Sequence, residues 1–522
     1  MRWYDTRASS NRSPFSVEPS RPVSDAAPLA VIDIGSNSGR VVVYRVEPDG
    51  GVRIQATTRA ALRLVREVDE GHALSAEAIE RTLDALRDFR AISAGAGAQR
   101  SVAVATAALR DAENAPALLE RIRTELGFEV HIISGEQEAW YGFVGAVTGL
   151  PVEHGVLFDL GGGSMQLTRF RERRRLTSWS LPLGSLRLSG AFLASDPPKG
   201  AEIRRLQDHV RRALEEAGVP RLTTGEALVG TGGTVRNLAK IDRRTRDYPI
   251  QRVHGYVITA GRLKAVVSML AAKKAKERRS VPGLNEDRGD SIVGGSLAVQ
   301  TLAETLEARE LQVSGQGVRE GIALAGREDA LPAPAAVREG SLRALCSRFR
   351  TWDEATAARR AAAADSLLRA LEPGASPELR EALSAAARVL DIGRSVDFFD
   401  RHEHAADMVM ETELYGFSHR GLALLSAILR ATGDEDSSVR RYSPLLTPED
   451  AGMVGRAAAL LALSDDIEER CPPGAPMELQ CESGRQEVKV TVPALAGWRP
   501  RGLAGRFERA FGRKLTVSSG RA

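Results

Sequence analysis

The chain has 522 residues, 43% hydrophobic and 27% charged, with a net charge of +4, which is a globular composition for about three domains at roughly 100–200 residues each. So even a charge balance argues against a specific nucleic-acid binder, whose basic residues gather on one face, and no run reaches the ~18–20 apolar residues of a membrane helix. Three scattered cysteines, Cys346, Cys471 and Cys481, give neither a disulfide framework nor a zinc spacing, so the reducing cytoplasm is the expected compartment.

Met1 to Ala27 is rich in Ser, Pro and Arg and has no apolar stretch, which predicts a disordered leader rather than a secretory signal. Leu29 to Asp33 reads as a buried strand ending in an acid. The turn Ile34-Gly-Ser-Asn-Ser38 follows, and Arg40–Val46 returns as the second strand of a hairpin. Apolar residues at helical spacing predict a helix over 74–92, with Ser75 as its N-cap. Strands are expected at 101–106 and 129–133, and helices at 114–126 and 136–149, the second ending at a glycine. The pattern then restarts. Gly155–Asp159 is a strand ending in an acid, Leu160-Gly-Gly-Gly-Ser164 its turn, and Met165–Phe170 the return. Helices are expected at 202–218, 262–278 and 319–325. A strand at 227–230 runs into Thr231-Gly-Gly-Thr234, and another lies at 311–314.

The repeat implies a duplicated α/β core with a cleft between two lobes, 28–150 and 151–327. A Pro/Ala-rich linker near 328–335 leads to an Ala/Leu/Arg-rich helical region that opens the last domain, 336–522. Its end carries a β-like alternation over 487–492 and a basic amphipathic piece over 503–514.

Glycine turns let backbone N–H groups approach anionic oxygens, because no Cβ blocks the way. A tight hairpin accounts for one such turn. Three in one α/β region point to phosphate: Asp33-Ile-Gly-Ser-Asn-Ser38, Asp159-Leu-Gly-Gly-Gly-Ser164 and Gly230-Thr-Gly-Gly-Thr234. The candidate phosphate contacts are Ser36, Asn37, Ser38, Gly161, Gly162, Gly163, Ser164, Gly232, Gly233 and Thr234. An acid beside a phosphate repels it unless a cation lies between them. Asp33 and Asp159 are therefore expected to hold Mg²⁺, which takes few carboxylates and completes its shell with water and phosphate oxygens.

These turns resemble the phosphate loops of the actin-like (ribonuclease H-like) ATPase and sugar kinase superfamily. Within it, the ordered set Val31–Ser38, Ala105–Asn114, Ile132–Ala139 and Phe158–Ser164 is similar to the exopolyphosphatase / guanosine pentaphosphate phosphohydrolase (Ppx/GppA) family. Val281–Leu284 and Val313–Gly321 fit its later segments, so that the resemblance covers about residues 29–326. It implies hydrolysis of the terminal phosphoanhydride of inorganic polyphosphate, with pppGpp hydrolysis or a non-catalytic polyphosphate or alarmone sensor as alternatives. It also implies a homodimer. The family's catalytic base falls on Glu138; Glu136 is at most a supporting residue. Arg110, otherwise a surface charge, becomes a phosphate ligand. Asn114 is open between a site role and a helix N-cap, and His254 reads as a packed histidine.

Two departures stand out. The family reads Thr-Glu after Gly-Gly-Gly-Ser, whereas this chain reads Met165-Gln166, which predicts a weakened metal response. Long relatives carry an all-helical domain related to HD phosphohydrolases, and 385–393 and 401–404 look like its remnant. Leu390 stands where the His of the His-Asp pair belongs, and Thr356 replaces another expected His, so no second metal site is expected. His402 and His404 are then loop or surface residues by default. The domain would extend the substrate channel or make a dimer contact. The basic tail, Arg499–Arg501 and Arg506–Lys514, would steer a polyanion or be a solvated helix.

Overall fold

A computed structural model describes residues 27–46, 52–64, 72–324, 330–472, 478–495 and 502–519, together with Val68 and Trp498. The expected leader, the start of the linker and Arg499–Arg501 lie outside them. The described residues form two compact units. The first runs to Arg246 and resumes over Arg252–Val337; the second comprises Asp247–Gln251 and the chain from Arg338.

The first unit holds two sheets of the same design. Strands β1 (Leu29–Ile34), β2 (Ser38–Val46), β3 (Val52–Ala61), β4 (Arg100–Ala105) and β5 (Val130–Ile132) lie in the order β3-β2-β1-β4-β5. Three strands meander antiparallel, and β4 and β5 join parallel to β1. Strands β6 (Gly155–Leu160), β7 (Met165–Arg171), β8 (Arg174–Leu181), β9 (Ala227–Gly232) and β11 (Glu310–Val313) repeat this as β8-β7-β6-β9-β11, with β10 (Val257–Thr259) added antiparallel at the edge. Order and direction match strand for strand, so the sequence repeat is a structural duplication.

Helices α1 (Ala76–Gly95), α2 (Ala107–Asp111), α3 (Ala115–Arg121) and α4 (Gly135–Thr148) accompany the first sheet in sequence. Ser75 caps α1 by accepting from Ala78 N–H, as expected. With the second sheet come α5 (Ser185–Phe192), α6 (Gly200–Glu216), α7 (Gly233–Arg244), α8 (Ala260–Ala272), α9 (Ala275–Arg278), α10 (Ile292–Thr305) and α11 (Val318–Leu324). One helix was expected over 262–278. Instead the chain is extended at Lys273 and Lys274, where Glu277 takes the Lys274 N–H and Asp196 the Ala275 N–H, so a new helix starts.

Both faces of the first sheet are buried, which is why β1 is a continuous apolar run. Ala30, Ile32 and Ile34 face Leu83, Leu86 and Phe89 of α1, while Val31, with Val42 and Tyr44, meets Ile322 of α11. The last helix of the second half thus covers the first sheet. Conversely, α4 buries Phe143, Ala146 and Val147 against Leu157, Phe170 and Val229 of the second sheet. The Phe143 and Phe170 rings lie 5.4 Å apart, and each fully buried side chain contributes about 1.5–3 kcal/mol. Where α4 and α11 cross, the backbones touch. A Cβ on Gly145 would sit 1.9 Å from the Gly317 carbonyl oxygen, and one on Gly321 1.8 Å from that of Tyr141. Two such sheets with exchanged helices form the duplicated α/β core that the resemblance implied.

Helix α12 (Pro334–Cys346) begins in the last residues of the first unit, and the second unit continues with α13 (Glu354–Leu371), α14 (Pro377–Val389), α15 (Arg401–Glu411), α16 (His419–Gly433) and α17 (Asp450–Glu468). The linker is shorter than expected, since α12 starts at Pro334. After the helices a small sheet follows, β12 (Gln480–Ser483), β13 (Glu487–Thr491) and β14 (Lys514–Ser518), with α18 (Leu503–Phe511) crossing between the last two. The expected alternation is thus a strand, and the C-terminal domain is helical with a β appendage.

Candidate active site

The two Asp-Gly turns are built alike. Asp33 and Asp159 are the fifth residues of β1 and β6. Each hairpin is closed by a glycine N–H donating to a serine carbonyl, Gly35 to Ser38 at 3.2 Å and Gly161 to Ser164 at 3.0 Å. The turns face each other across the lobes. A Cβ on Gly162 would lie 3.3 Å from the Cβ atoms of both Ser36 and Asn37, so a side chain there would press the turns apart by a few tenths of an ångström. Ser36, Asn37 and Ser164 are buried there. Among the described residues, no hydrogen bond takes the N–H of Ser36, Asn37, Gly162 or Gly163. The carbonyls of Gly161 and Gly162, by contrast, are held by Ser185, Leu186 and Arg187 at the start of α5. The turns therefore present donors inward and anchor their acceptors outward, which suits an anion.

Three acids converge beside them. Glu138 sits in the first turn of α4, whose entry is fixed by a capping box between Ser134 and Gln137. Its side chain is 10% exposed and lies 3.5 Å from Arg110 Nη1, which also donates to the Ile133 carbonyl at 2.8 Å. Burial pushes Glu138 up to about 8; Arg110 opposes this, while Asp159 and Asp33 add to it. Asp159 is pushed up to about 6, again by burial first, with Arg236 opposing and Asp33 adding. Burial also raises Asp33, although Arg319 donates to its Oδ2 at 2.9 Å. Carboxylates kept this far above their ordinary range by burial and mutual repulsion are unusual outside functional sites.

The surroundings of Asp159 bear on the expected cation. Among the described residues no hydrogen bond reaches its carboxylate. Gly142, Gly232 and Gly317 ring it, and Cβ atoms there would come within 3.8, 3.0 and 3.7 Å of its oxygens. No group of three His, Cys, Asp or Glu is arranged among the described residues to hold a metal. Glycines beside one or two carboxylates fit a cation that keeps most of its shell for water and phosphate rather than one held in a protein cage.

Positive charge lines the same region. Burial lowers Arg40 to about 10, with Arg319, Arg236 and Arg59 adding to the effect; Arg288 falls to about 10 by burial and Arg59. Arginines that depress one another have too few anions nearby. Sequence reasoning gave none of Arg40, Arg236, Arg288 and Arg319 a role. The available signal was an arginine inside an otherwise apolar or glycine-rich element, as in Val313–Gly321.

Gln166 is buried on β7, opposite Asp159. Its amide donates to Ser164 Oγ at 2.8 Å and to Ser180 Oγ at 3.4 Å. Ser164 is therefore the acceptor in this pair and keeps its own proton for another partner. Ser180, on β8, was not anticipated. The third glycine segment is no loop. β9 runs to Gly232 and α7 begins at Gly233, with Gly232 at φ 101° making the turn alone. Thr234 is fully buried, and a Cβ on Gly295 of α10 would lie 2.7 Å from its hydroxyl. Its hydroxyl therefore faces packing. Gly233 lies against the Arg288 guanidinium.

Glu136 points away and pairs with Arg175 at 3.1 Å. Asn114 stands at the start of α3 but makes no side-chain cap bond. Its amide instead brackets Leu74, accepting from the N–H at 2.9 Å and donating to the carbonyl at 2.8 Å. His254 is buried and accepts from Gly315 N–H at 3.3 Å.

In the second unit, Asp391 is saturated with guanidinium. Arg360 Nη2 lies at 2.6 Å, Arg394 Nε at 3.0 Å and Arg401 Nη1 at 3.2 Å, and Arg360 and Arg401 also pair with Asp465. Arginines thus hold the acid that an HD-type site would place on a metal. Leu390 is in the core. His402 and His404 are not on a loop: both lie on α15, where burial among arginines lowers His402 to about 4. The basic tail is structural over its described part. Arg506 is buried and donates to the carbonyls of Thr432 (2.7 Å) and Ala431, closing the end of α16, and Arg509 pairs with Glu435 at 2.7 Å.

Comparison with known proteins agrees with this geometry. The profile of the Ppx/GppA phosphatase family matches residues 42–328, and that of Ppx/GppA phosphatase domain III matches residues 337–469. Exopolyphosphatase 1 of Mycobacterium tuberculosis is 29% identical over 308 residues, covering 57% of this chain and 87% of that protein. Among solved structures, the Aquifex aeolicus member of the Ppx/GppA family aligns with a TM-score of 0.51 at 30% identity, covering 57% of this chain and 97% of that one. An exopolyphosphatase from Cytophaga hutchinsonii shares the fold, with a TM-score of 0.53 at 22% identity, covering 58% of this chain and 99% of that one.

Proposed function

The chain belongs to the Ppx/GppA phosphatase family, and from that premise we propose that it is a Mg²⁺-dependent exopolyphosphatase, removing the terminal phosphate of inorganic polyphosphate. The observation that carries this reading is the convergence of Glu138, a buried acid beside Arg110, on two turns whose N–H groups are unclaimed. The amides of Ser36, Asn37, Gly162 and Gly163, with the Ser164 hydroxyl, would hold phosphate oxygens. Arg110 would neutralise the terminal phosphate. Glu138 would take a proton from water as the water oxygen bonds to the terminal phosphorus. The bridging P–O bond then breaks, orthophosphate leaves, and the chain is one residue shorter. Mg²⁺ near Asp159 and Asp33 would offset the charge of the phosphates.

The enzyme would work in the reducing cytoplasm, where Cys346, Cys471 and Cys481 stay free thiols, and as a homodimer. The test is phosphate release from long-chain polyphosphate, tripolyphosphate, pppGpp and ATP in parallel, with Glu138→Gln as control. Release from polyphosphate that the variant abolishes is expected. Preference for pppGpp would move the assignment to guanosine pentaphosphate hydrolysis. Binding without release from any of the four would leave a sensor.

A further inference from the structure

We propose that Arg319 is the resident counter-ion of Asp33 in the cation-free enzyme, and that it becomes a substrate-phosphate ligand once a divalent cation takes over that carboxylate. The inference rests on the phosphatase reading and adds a residue to its site.

Arg319 stands in the first turn of α11, with its side chain 16% exposed. One hydrogen bond is made by its guanidinium among the described residues, from Nη1 to Asp33 Oδ2 at 2.9 Å, and its Nε is buried without an acceptor. A guanidinium carries five N–H donors in a fixed fork. A largely buried one with most donors idle is costly unless further acceptors arrive, and phosphate oxygens match the fork. The neighbouring residue holds the arm in place: Glu320 accepts from Tyr44 Oη at 2.6 Å and from Gly317 N–H at 2.7 Å. Arg319 is thus aimed by a helix tied to the first sheet. Gly317, two residues before it, lies beside the other acid, where a Cβ would come within 3.7 Å of an Asp159 oxygen, so the start of α11 stands next to both turns.

Two consequences separate this role from a purely structural ion pair. A cation at Asp33 must compete with Arg319, so removing the arginine should tighten cation binding. Substrate should gain from the same arginine, so removing it should weaken phosphate binding. Mn²⁺ binding to the substrate-free full chain would be measured by electron paramagnetic resonance for wild type, Arg319→Met and Arg319→Lys. Tripolyphosphate binding with Mn²⁺ present would be measured by calorimetry in a Glu138→Gln background. Arg319→Met is expected to bind Mn²⁺ more tightly and tripolyphosphate more weakly, each by roughly tenfold, the scale of one charge-assisted hydrogen bond. Arg319→Lys keeps the charge and loses the fork, so Mn²⁺ affinity should stay near wild type while tripolyphosphate affinity falls. If the Met variant fails to fold, the fall with Arg319→Lys still decides the ligand role, and Arg319→Gln, which keeps hydrogen bonding and loses the charge, takes its place in the Mn²⁺ measurement. Unchanged or weaker Mn²⁺ binding by Arg319→Met overturns the counter-ion role, and unchanged tripolyphosphate affinity in either variant overturns the ligand role. If the parent protein itself does not bind tripolyphosphate, the phosphatase reading fails instead.

Discussion

Replacing Arg110 by glutamine should move the pH profile of hydrolysis upward. Glu138 can act as a base only when deprotonated, and burial has pushed it up to about 8, with Arg110 opposing. Activity should therefore rise with pH through that region in the wild type. The guanidinium lies 3.5 Å from the carboxylate, where two unit charges interact by about 5 kcal/mol at an effective dielectric constant of ~20. Arg110 is 28% exposed, so solvent screens much of this. A residue of about 1.5–3 kcal/mol corresponds to about one to two pH units, the usual effect of one opposite charge at this range. The sign is fixed: loss of the cation disfavours the charged carboxylate, its pKa rises, and the ascending limb shifts to higher pH. The assay is kcat/KM for tripolyphosphate between about pH 6 and about pH 10, which reports the free enzyme. Asp159 and Asp33 act on Glu138 through their charges, so the position of the limb reflects the cluster, while Glu138→Gln, which removes the base itself, should abolish it. A limb that stays in place or moves down in Arg110→Gln would refute the assignment of Glu138 as the base governed by Arg110.

Two further outcomes follow from packing and from the altered residue. Gly145→Ala would drive a methyl group into the Gly317 carbonyl at the α4–α11 crossing; overpacking of this kind costs about 1–3 kcal/mol. It should lower the melting temperature, and it should also lower kcat by roughly a hundredfold if α4 shifts Glu138 by about 1 Å; unchanged stability and rate would mean that the crossing is not fixed. Gln166→Glu places a carboxylate directly across the ladder from Asp159 and reverses the hydrogen bond to Ser164. Mn²⁺ affinity should rise, and a titration showing both affinity and rate unchanged would dispose of the idea that Gln166 weakens the metal site.

The elements were legible where local chemistry decides them. The acid-ended strands, their turns and the Ser75 cap all follow from residues within a few positions of one another. Strands β3 and β8 went unread because their exposure pattern is irregular, with no apolar alternation to mark a buried face. The Gly-Thr-Gly-Gly-Thr segment misled, because one glycine at positive φ turns a strand straight into a helix without a loop. At the site, Glu138 and Arg110 came from ordered motifs. Arg319 lies 286 positions from Asp33, and no local pattern connects them. Gln166 was noticed as a departure, but its contact with Ser180 depends on the pairing of β7 with β8. In the second unit the loss of the His-Asp pair was visible, whereas the three arginines gathered around Asp391 come from α13, the turn after α14 and α15, and only the fold assembles them.

The exchange of α4 and α11 has a consequence for how such a chain is inherited and made. The two halves repeat one pattern, so the unit that was copied is a single sheet with its helices. Yet neither copy is finished by its own sequence. A chain ending near residue 150 would leave one side of the first sheet bare, with Phe143 and Val147 seeking a surface not yet synthesised, and the second half alone would have the mirror defect. A nascent chain must therefore wait for α11 before its first sheet is complete, and a genetic break between the repeats would yield fragments that can recover only by finding each other.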